Sequence, residues 1–185
     1  MSEVALEYEV KVPITNEEEV RRNIIKAGGK LVEKRYEVDY YIDMRTCSNV
    51  PRDTVVRVRK VVLSSGEELG ELTFKGKRIH EDVKAREEIS VKVSDPDRAV
   101  NMFLKLGFKV LKIEKEREVY VIGTDIKVCV DRVAGLGKFI EVEVMNPPSK
   151  EYFMSKLSEI LEKLSLQGRR IIVKSYLEML LGGEG

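Results

Sequence analysis

The sequence predicts an α+β fold, an eight-stranded antiparallel β-barrel with helices packed on its outside. Three observations predict it. Eight runs alternate apolar and polar side chains with the period of a strand, most are joined by short turn signals, and the helical stretches carry their own start and stop residues. Eight strands are enough for a sheet to close on itself.

Residues 3–12 read as the first strand, ended by Pro13. ITNEEEVRRNIIKAGG, 14–29, has the marks of a helix. Thr15 or Asn16 can cap it, acids fill its first turn, Val20, Ile24 and Ile25 form an apolar stripe, and Gly28-Gly29 stops it. Strands follow at about 30–43, 54–63, 67–76 and 83–93, with SSGEE as a hairpin turn between the second and third of these. DPDRAVNMFLKLG, 95–107, is a short helix with Pro at its start and Gly at its end. Three strands come next, at 109–123, 125–133 and 138–145, joined through GTD and AGLG. Pro147-Pro148 ends the sheet region. EYFMSKLSEILEKLSL then has apolar residues at helical spacing, and VKSYLEMLLGG reads as a final short helix. The barrel spans about 3–146 and the C-terminal helices about 149–182, in one domain covering 1–185. The stripe Phe153, Leu157, Ile160, Leu161 and Leu164 is expected to cover the barrel, since an apolar exterior needs covering; monomer and homodimer both stay open.

At 185 residues with 43% hydrophobic side chains, the chain can bury a substantial core. Thirty-three Lys and Arg against 32 Asp and Glu leave a formal charge of +1, which argues against a nucleic-acid binder with its net basic excess. Cys47 and Cys129 form no CxxC, so a structural zinc site is not expected; they read as reduced thiols, with a disulfide between them left open. There is no apolar stretch long enough to span a membrane and MSEVALEYEV is no signal peptide, so the expectation is a soluble cytoplasmic protein.

The charges sit at alternate strand positions, where side chains share one face. EYEVKV places Glu7, Glu9 and Lys11 together, and IEVEV does the same for Glu141 and Glu143. Arg57 and Arg59 alternate in VVRVRK, Thr73 and Lys75 in LTFKG, Arg86 and Glu88 in AREEIS, and Lys115 and Arg117 in IEKERE. Asp131 shares a face with Cys129 and Lys127. For any single strand the simpler reading is a charged face in water. A solvated skin has little need, though, to sort its charges by sign. Here the acidic pairs fall on the first and last strands, with basic pairs between. On closure the first and last strands become neighbours, and four carboxylates converge opposite a wall of Lys and Arg. Carboxylates that close repel unless protonated or bridged by a cation. Hard ions such as Mg²⁺ or Mn²⁺ take oxygen ligands and are shared with phosphate, and guanidinium groups match phosphate oxygens in pairs. The arrangement suits a polyanion, most simply a triphosphate.

EYEVK, RVR, TFK, REE, the K-x-R of EKEREVY and DRVAGLGKFIEVE, in that order, resemble the motifs of CYTH proteins, also called triphosphate tunnel metalloenzymes. The resemblance covers about 3–146, and SYLEMLL looks like the family's closing helix. YEVDYYID and DRVAGLGKFIEVE look most like the branch containing class IV adenylyl cyclases, with thiamine triphosphatases nearby. The resemblance implies an eight-stranded tunnel that binds a triphosphate with Mg²⁺ or Mn²⁺. It implies Glu7, Glu9, Glu141 and Glu143 as metal ligands, and Lys11, Arg57, Arg59, Lys75, Arg86, Lys115 and Arg117 as phosphate-binding groups. Lys11 and Asp131 are implied as catalytic, Asp131 by placing a metal or orienting the reacting group. Glu88 has a supporting place inside, which Glu87 takes if the register slips. The chain departs from the pattern at KGKRIHEDVKAREE, a basic loop where relatives often show a Gly-Pro turn. His80 in it reads as a solvated loop histidine, Tyr40, Tyr41 and Tyr120 as packing aromatics, and Cys129 as a small filler.

The leading expectation is a divalent-metal-dependent enzyme that converts ATP to cyclic AMP and pyrophosphate. One alternative is a tripolyphosphatase or thiamine triphosphatase releasing the terminal phosphate. Another is a non-catalytic polyphosphate or nucleotide binder.

Overall fold

A computed structural model describes residues 8–45, 47–51, 54–78 and 86–182, with the backbone alone at 77, 78 and 86. Twelve elements follow one another: β1 (Tyr8–Pro13), α1 (Glu17–Lys26), β2 (Lys30–Ile42), β3 (Val55–Leu63), β4 (Glu68–Arg78), β5 (Arg86–Lys92), α2 (Pro96–Lys105), β6 (Val110–Ile122), β7 (Ile126–Val133), β8 (Gly137–Val144), α3 (Lys150–Lys163) and α4 (Tyr176–Leu180). Of the two caps expected for α1 the structure uses Asn16, and it adds caps at α2 and α3 that the sequence reading had not named. Asn16 accepts the Glu19 N–H at 3.2 Å to cap α1, Asp95 caps α2 ahead of Pro96, and Ser149 caps α3. Gly28 ends α1 at φ 86°, a left-handed conformation that costs a side chain dearly.

All eight strands form one antiparallel sheet in the order β1-β8-β7-β6-β2-β3-β4-β5. The order has a hidden symmetry. β1-α1-β2-β3-β4 and β5-α2-β6-β7-β8 are two copies of one plan, and each copy's first strand pairs with the last strand of the other. β1 and β8 are therefore neighbours by direct pairing, without any closure of the sheet.

The expected barrel needs correction. β1 and β5 are the edges of the sheet and do not pair with each other among the described residues. Part of the reason is that β1's outer edge is already taken. Lys11 N–H donates to Ile172 O at 2.9 Å and Ile172 N–H donates back to Lys11 O at 2.8 Å, so the segment after α3 occupies a place a closing strand would need. The sheet still curls far enough for Lys11 of β1 and Glu88 of β5 to line one cavity.

The apolar core lies on the convex side. Val10, Val12, Val128, Ile140 and Val142 point outward from β1, β7 and β8 and are buried beneath Phe153, Leu157, Ile160, Leu161 and Leu164 of the α3 region and Val20 and Ile24 of α1. The stripe on α3 does cover the sheet. A smaller cluster of Tyr41, Ile113, Val133, Phe139 and Tyr176 plugs one end of the concave side. Among the described residues, no helix is long and apolar enough to cross a membrane.

Candidate active site

The pleat sends Val10 and Val142 into the convex core, so their neighbours Glu9, Lys11, Glu141 and Glu143 face the concave side. The same alternation turns Arg57 and Arg59 of β3, Thr73 and Lys75 of β4, Lys115 and Arg117 of β6, and Asp131 of β7 inward. Of these, Glu9, Lys11, Glu141, Arg57, Arg59, Lys75, Lys115 and Arg117 line a polar cavity of about 140 Å³. Lys11, Arg57, Lys75, Lys115, Arg117, Glu9, Glu141 and Asp131 are all buried. Charges removed from water must be paired, and the pairs form two networks.

The first runs across β1, β8, β6 and β7. Lys11 Nζ lies 2.8 Å from Glu9 Oε1 and 3.0 Å from Glu141 Oε2. Arg117 donates from Nη2 to Glu141 Oε1 at 2.9 Å, and from Nε and Nη2 to the two oxygens of Asp131 at 2.7 and 2.5 Å. The Tyr176 hydroxyl closes the chain on Asp131 Oδ2 at 2.7 Å, and its ring centroid stands 5.0 Å from Lys11 Nζ. Burial opposes the charge on Lys11, but Glu141 and Glu9 outweigh it and raise its pKa above the usual lysine range. Lys127 pairs with Glu143 beside this network.

The second network centres on β2. Lys115 Nζ lies 2.5 Å from Glu37 Oε2 and 2.9 Å from Asp39 Oδ2, and Arg59 donates to both Asp39 oxygens at 2.5 and 2.9 Å. Burial works against ionisation of Glu37 and Asp39, yet Arg59 and Lys115 hold both well below the ordinary carboxylate range. Lys75 Nζ meets Glu88 Oε2 at 2.7 Å. Arg57 donates Nη2 to Thr73 and Glu71, both at 3.3 Å. Its Nε is buried with no hydrogen-bond partner among the described residues, and Asp39 Oδ1 is 3.9 Å away.

Most of the residues singled out from the sequence meet here. The register pairs Lys75 with Glu88, and Glu87 is exposed, so the doubt about slippage is resolved in favour of Glu88. Glu7 and His80 lie outside the described residues, as does the side chain of Arg86. Tyr41 packs in the end plug and Tyr120 in the convex core. Cys47 and Cys129 are free thiols, and burial, the largest influence, pushes Cys129 up to about 12. Sequence reasoning passed over Arg35, Glu37 and Asp39, although R-x-E-x-D in β2 is the same alternation used elsewhere. It also missed Tyr176, whose contact with Asp131 joins residues far apart in the chain. The basic strands are consequently not a wall of one sign, because Glu37 and Asp39 sit among their cations.

The carboxylates of Glu9, Glu141 and Glu143 are oxygen donors of the kind a hard divalent ion takes. Glu9 and Glu143 are direct cross-strand partners, and Glu141 is one step further along β8. Like charges opposite one another favour a bridging cation, and Cys129 is the cross-strand partner of Glu141 on the same face. Among the described residues, no group of three or more acidic, His or Cys side chains is gathered tightly enough to hold a metal. Lys11 and Lys127 take up these carboxylates instead.

Comparison with known proteins agrees with the geometry. The CYTH domain matches residues 5–176. The Methanocaldococcus jannaschii protein named "Putative adenylate cyclase MJ0240" is 35% identical over 179 residues, covering 94% of this chain and 98% of that protein. The solved PH1819 protein of Pyrococcus horikoshii OT3 superposes with a TM-score of 0.76 at 31% identity, covering 95% and 98% of the two chains. The Hippeastrum protein HpAC1, whose dominant activity is given as triphosphatase, shares the fold with a TM-score of 0.68 at 15% identity, covering 97% of each chain. With its motifs in order on one concave face and the domain match running over nearly its whole length, the chain belongs to the CYTH family.

Proposed function

We propose that this protein is a divalent-metal-dependent enzyme that cyclises ATP to cyclic AMP and pyrophosphate inside the curled sheet. The observation that carries the reading is the buried Arg57 Nε, a donor without a hydrogen-bond partner among the described residues, in a narrow lumen whose wall carries both cations and carboxylates. A phosphate oxygen would satisfy it. Lys11, Arg57, Arg59, Lys75, Lys115 and Arg117 would bind the phosphates and neutralise charge that builds on the departing pyrophosphate, with Arg86 expected to join them. Asp131 would act as a positioning residue. Its two bonds hold the Arg117 guanidinium flat, which leaves the remaining donors free to turn to phosphate. Glu88 would support Lys75 in the same way. Glu9, Glu141 and Glu143, with Glu7 expected beside them, would hold a Mg²⁺ or Mn²⁺ ion. Such an ion would polarise the reacting phosphorus and help ionise the attacking ribose hydroxyl.

A hydrolytic reading stands second, as a tripolyphosphatase or thiamine triphosphatase. It is favoured by the lumen itself, whose polar and charged lining matches phosphate and offers no feature that selects a base. The deciding experiment is a panel of triphosphates incubated with Mg²⁺ or Mn²⁺, with products separated by chromatography. Cyclic AMP with pyrophosphate is the expected result. Orthophosphate alone would replace the cyclase reading with the hydrolase.

A further inference from the structure

The two halves of the fold match in plan but not in cover. The pair β1 and β8 turns Val10, Val12, Ile140 and Val142 outward, and α3 lies over them. The equivalent pair in the other half is β5 with β4, again the first strand of one copy joined to the last strand of the other. Its convex face is apolar too, with Leu72 opposite Val91 and Phe74 opposite Ile89. A helix follows β8, however, whereas β4 leads on to β5 in the order of elements. Ile89 and Val91 are accordingly 56% and 52% exposed, against 1% and 0% for Val10 and Val12. The edges differ in the same way. The segment at Ile172 occupies the outer edge of β1, while β5 pairs with β4 alone among the described residues. An open edge beside an exposed apolar face is where one sheet adds to another.

We infer that β5 is the docking surface for a second copy of this chain, the two β5 strands pairing antiparallel about a two-fold axis so that the sheets join. The strand is complementary to itself in one register. With Ser90 on the axis, Glu88 lies opposite Lys92 and Ile89 opposite Val91, each pair formed twice. An axis at Ile89 sets Arg86 against Lys92, one at Glu88 sets that residue against itself, and one at Val91 sets Lys92 against Ser90. Among these registers only the first matches opposite charges while joining the exposed apolar side chains on the convex side. On the concave side Glu88 bonds Lys75 at the lumen wall, so the partner subunit's Lys92 adds a cation at the rim of that site. The inference goes beyond the triphosphate reading and stands independently of it, because it rests on the edge and the outer face.

Sedimentation of the full chain over a concentration series is expected to show a monomer–dimer equilibrium. Lys92→Glu turns two attractive pairs into two repulsive ones and should weaken the dimer about tenfold. Ile25→Lys, at an exposed position on α1, should leave it within about twofold. The register is read by cross-linking in a Cys47→Ser background, which removes the native thiol that is not buried. Ser90→Cys should form an intermolecular disulfide under mild oxidation, since residues facing one another across the axis stand about 5 Å apart at Cα. Lys92→Cys should not, its mate lying roughly 13 Å away. A monomer at every concentration would overturn the inference and leave the face to a partner of another kind. A dimer indifferent to Lys92→Glu, or equal cross-linking of the two cysteine variants, would place the interface elsewhere and overturn it as well.

Discussion

Glu143 tests the residue scale most directly. It lies opposite Glu9, is only partly buried, and is paired with Lys127, so replacing it with the isosteric amide should leave the fold unharmed. Glu143→Gln is expected to lower metal-dependent turnover at least about 100-fold, the upper end of what losing a supporting group around a metal costs. Circular dichroism should be unchanged, and full turnover would place the chemistry elsewhere. Glu9, Lys11, Glu141 and Glu143 could be found in the sequence because a strand's period of two puts alternate side chains on one face. Glu37 and Asp39 obey the same rule. They went unread because EVDYYID draws attention to its aromatics. Nothing in the sequence says that Lys115 and Arg59 would share these two carboxylates, since that depends on which strands flank β2.

At the scale of the element, α4 is short enough to be unstable alone. Its S-x-x-E capping box, Ser175 with Glu178, forms in the structure, a signal present in the sequence that its reading as a short helix did not use. What α4 does is not legible. It carries Tyr176 into the end of the lumen, where the ring packs on Phe139 with centroids 5.4 Å apart and the hydroxyl donates to Asp131. Tyr176→Phe keeps the packing and removes one of the bonds to a fully buried carboxylate. The expected cost is about 1–2 kcal/mol, read from the denaturant midpoint. A shift close to zero would mean that Arg117 alone satisfies Asp131. The exchange of first strands between the two halves is likewise invisible in the residues, because pairing partners are chosen by the whole sheet.

For the whole molecule, the buried charge networks tie stability to pH. Glu37 and Asp39 have folded-state pKa values below their unfolded ones, so the unfolded chain binds more protons in acid. Their contribution is fully present above the ordinary carboxylate range, near about 4, and is lost as pH falls below it through the folded-state values. The urea midpoint should therefore fall between about pH 6 and pH 3. A flat profile would show that the pairs do no more than offset their own desolvation.

The chain read alone settles its eight strands, its helices, and the sorting of charged from apolar side chains to opposite faces. These are local consequences of period and turn chemistry, and they survive without knowledge of any neighbour. Three things were decided only when the sheet assembled. β1 joined β8 directly, the C-terminal segment took β1's free edge in place of a closing strand, and cations and carboxylates from distant strands were matched one to another. Each depends on which groups meet across the fold, and pairing energies between residues far apart in sequence leave no period for a reader to find.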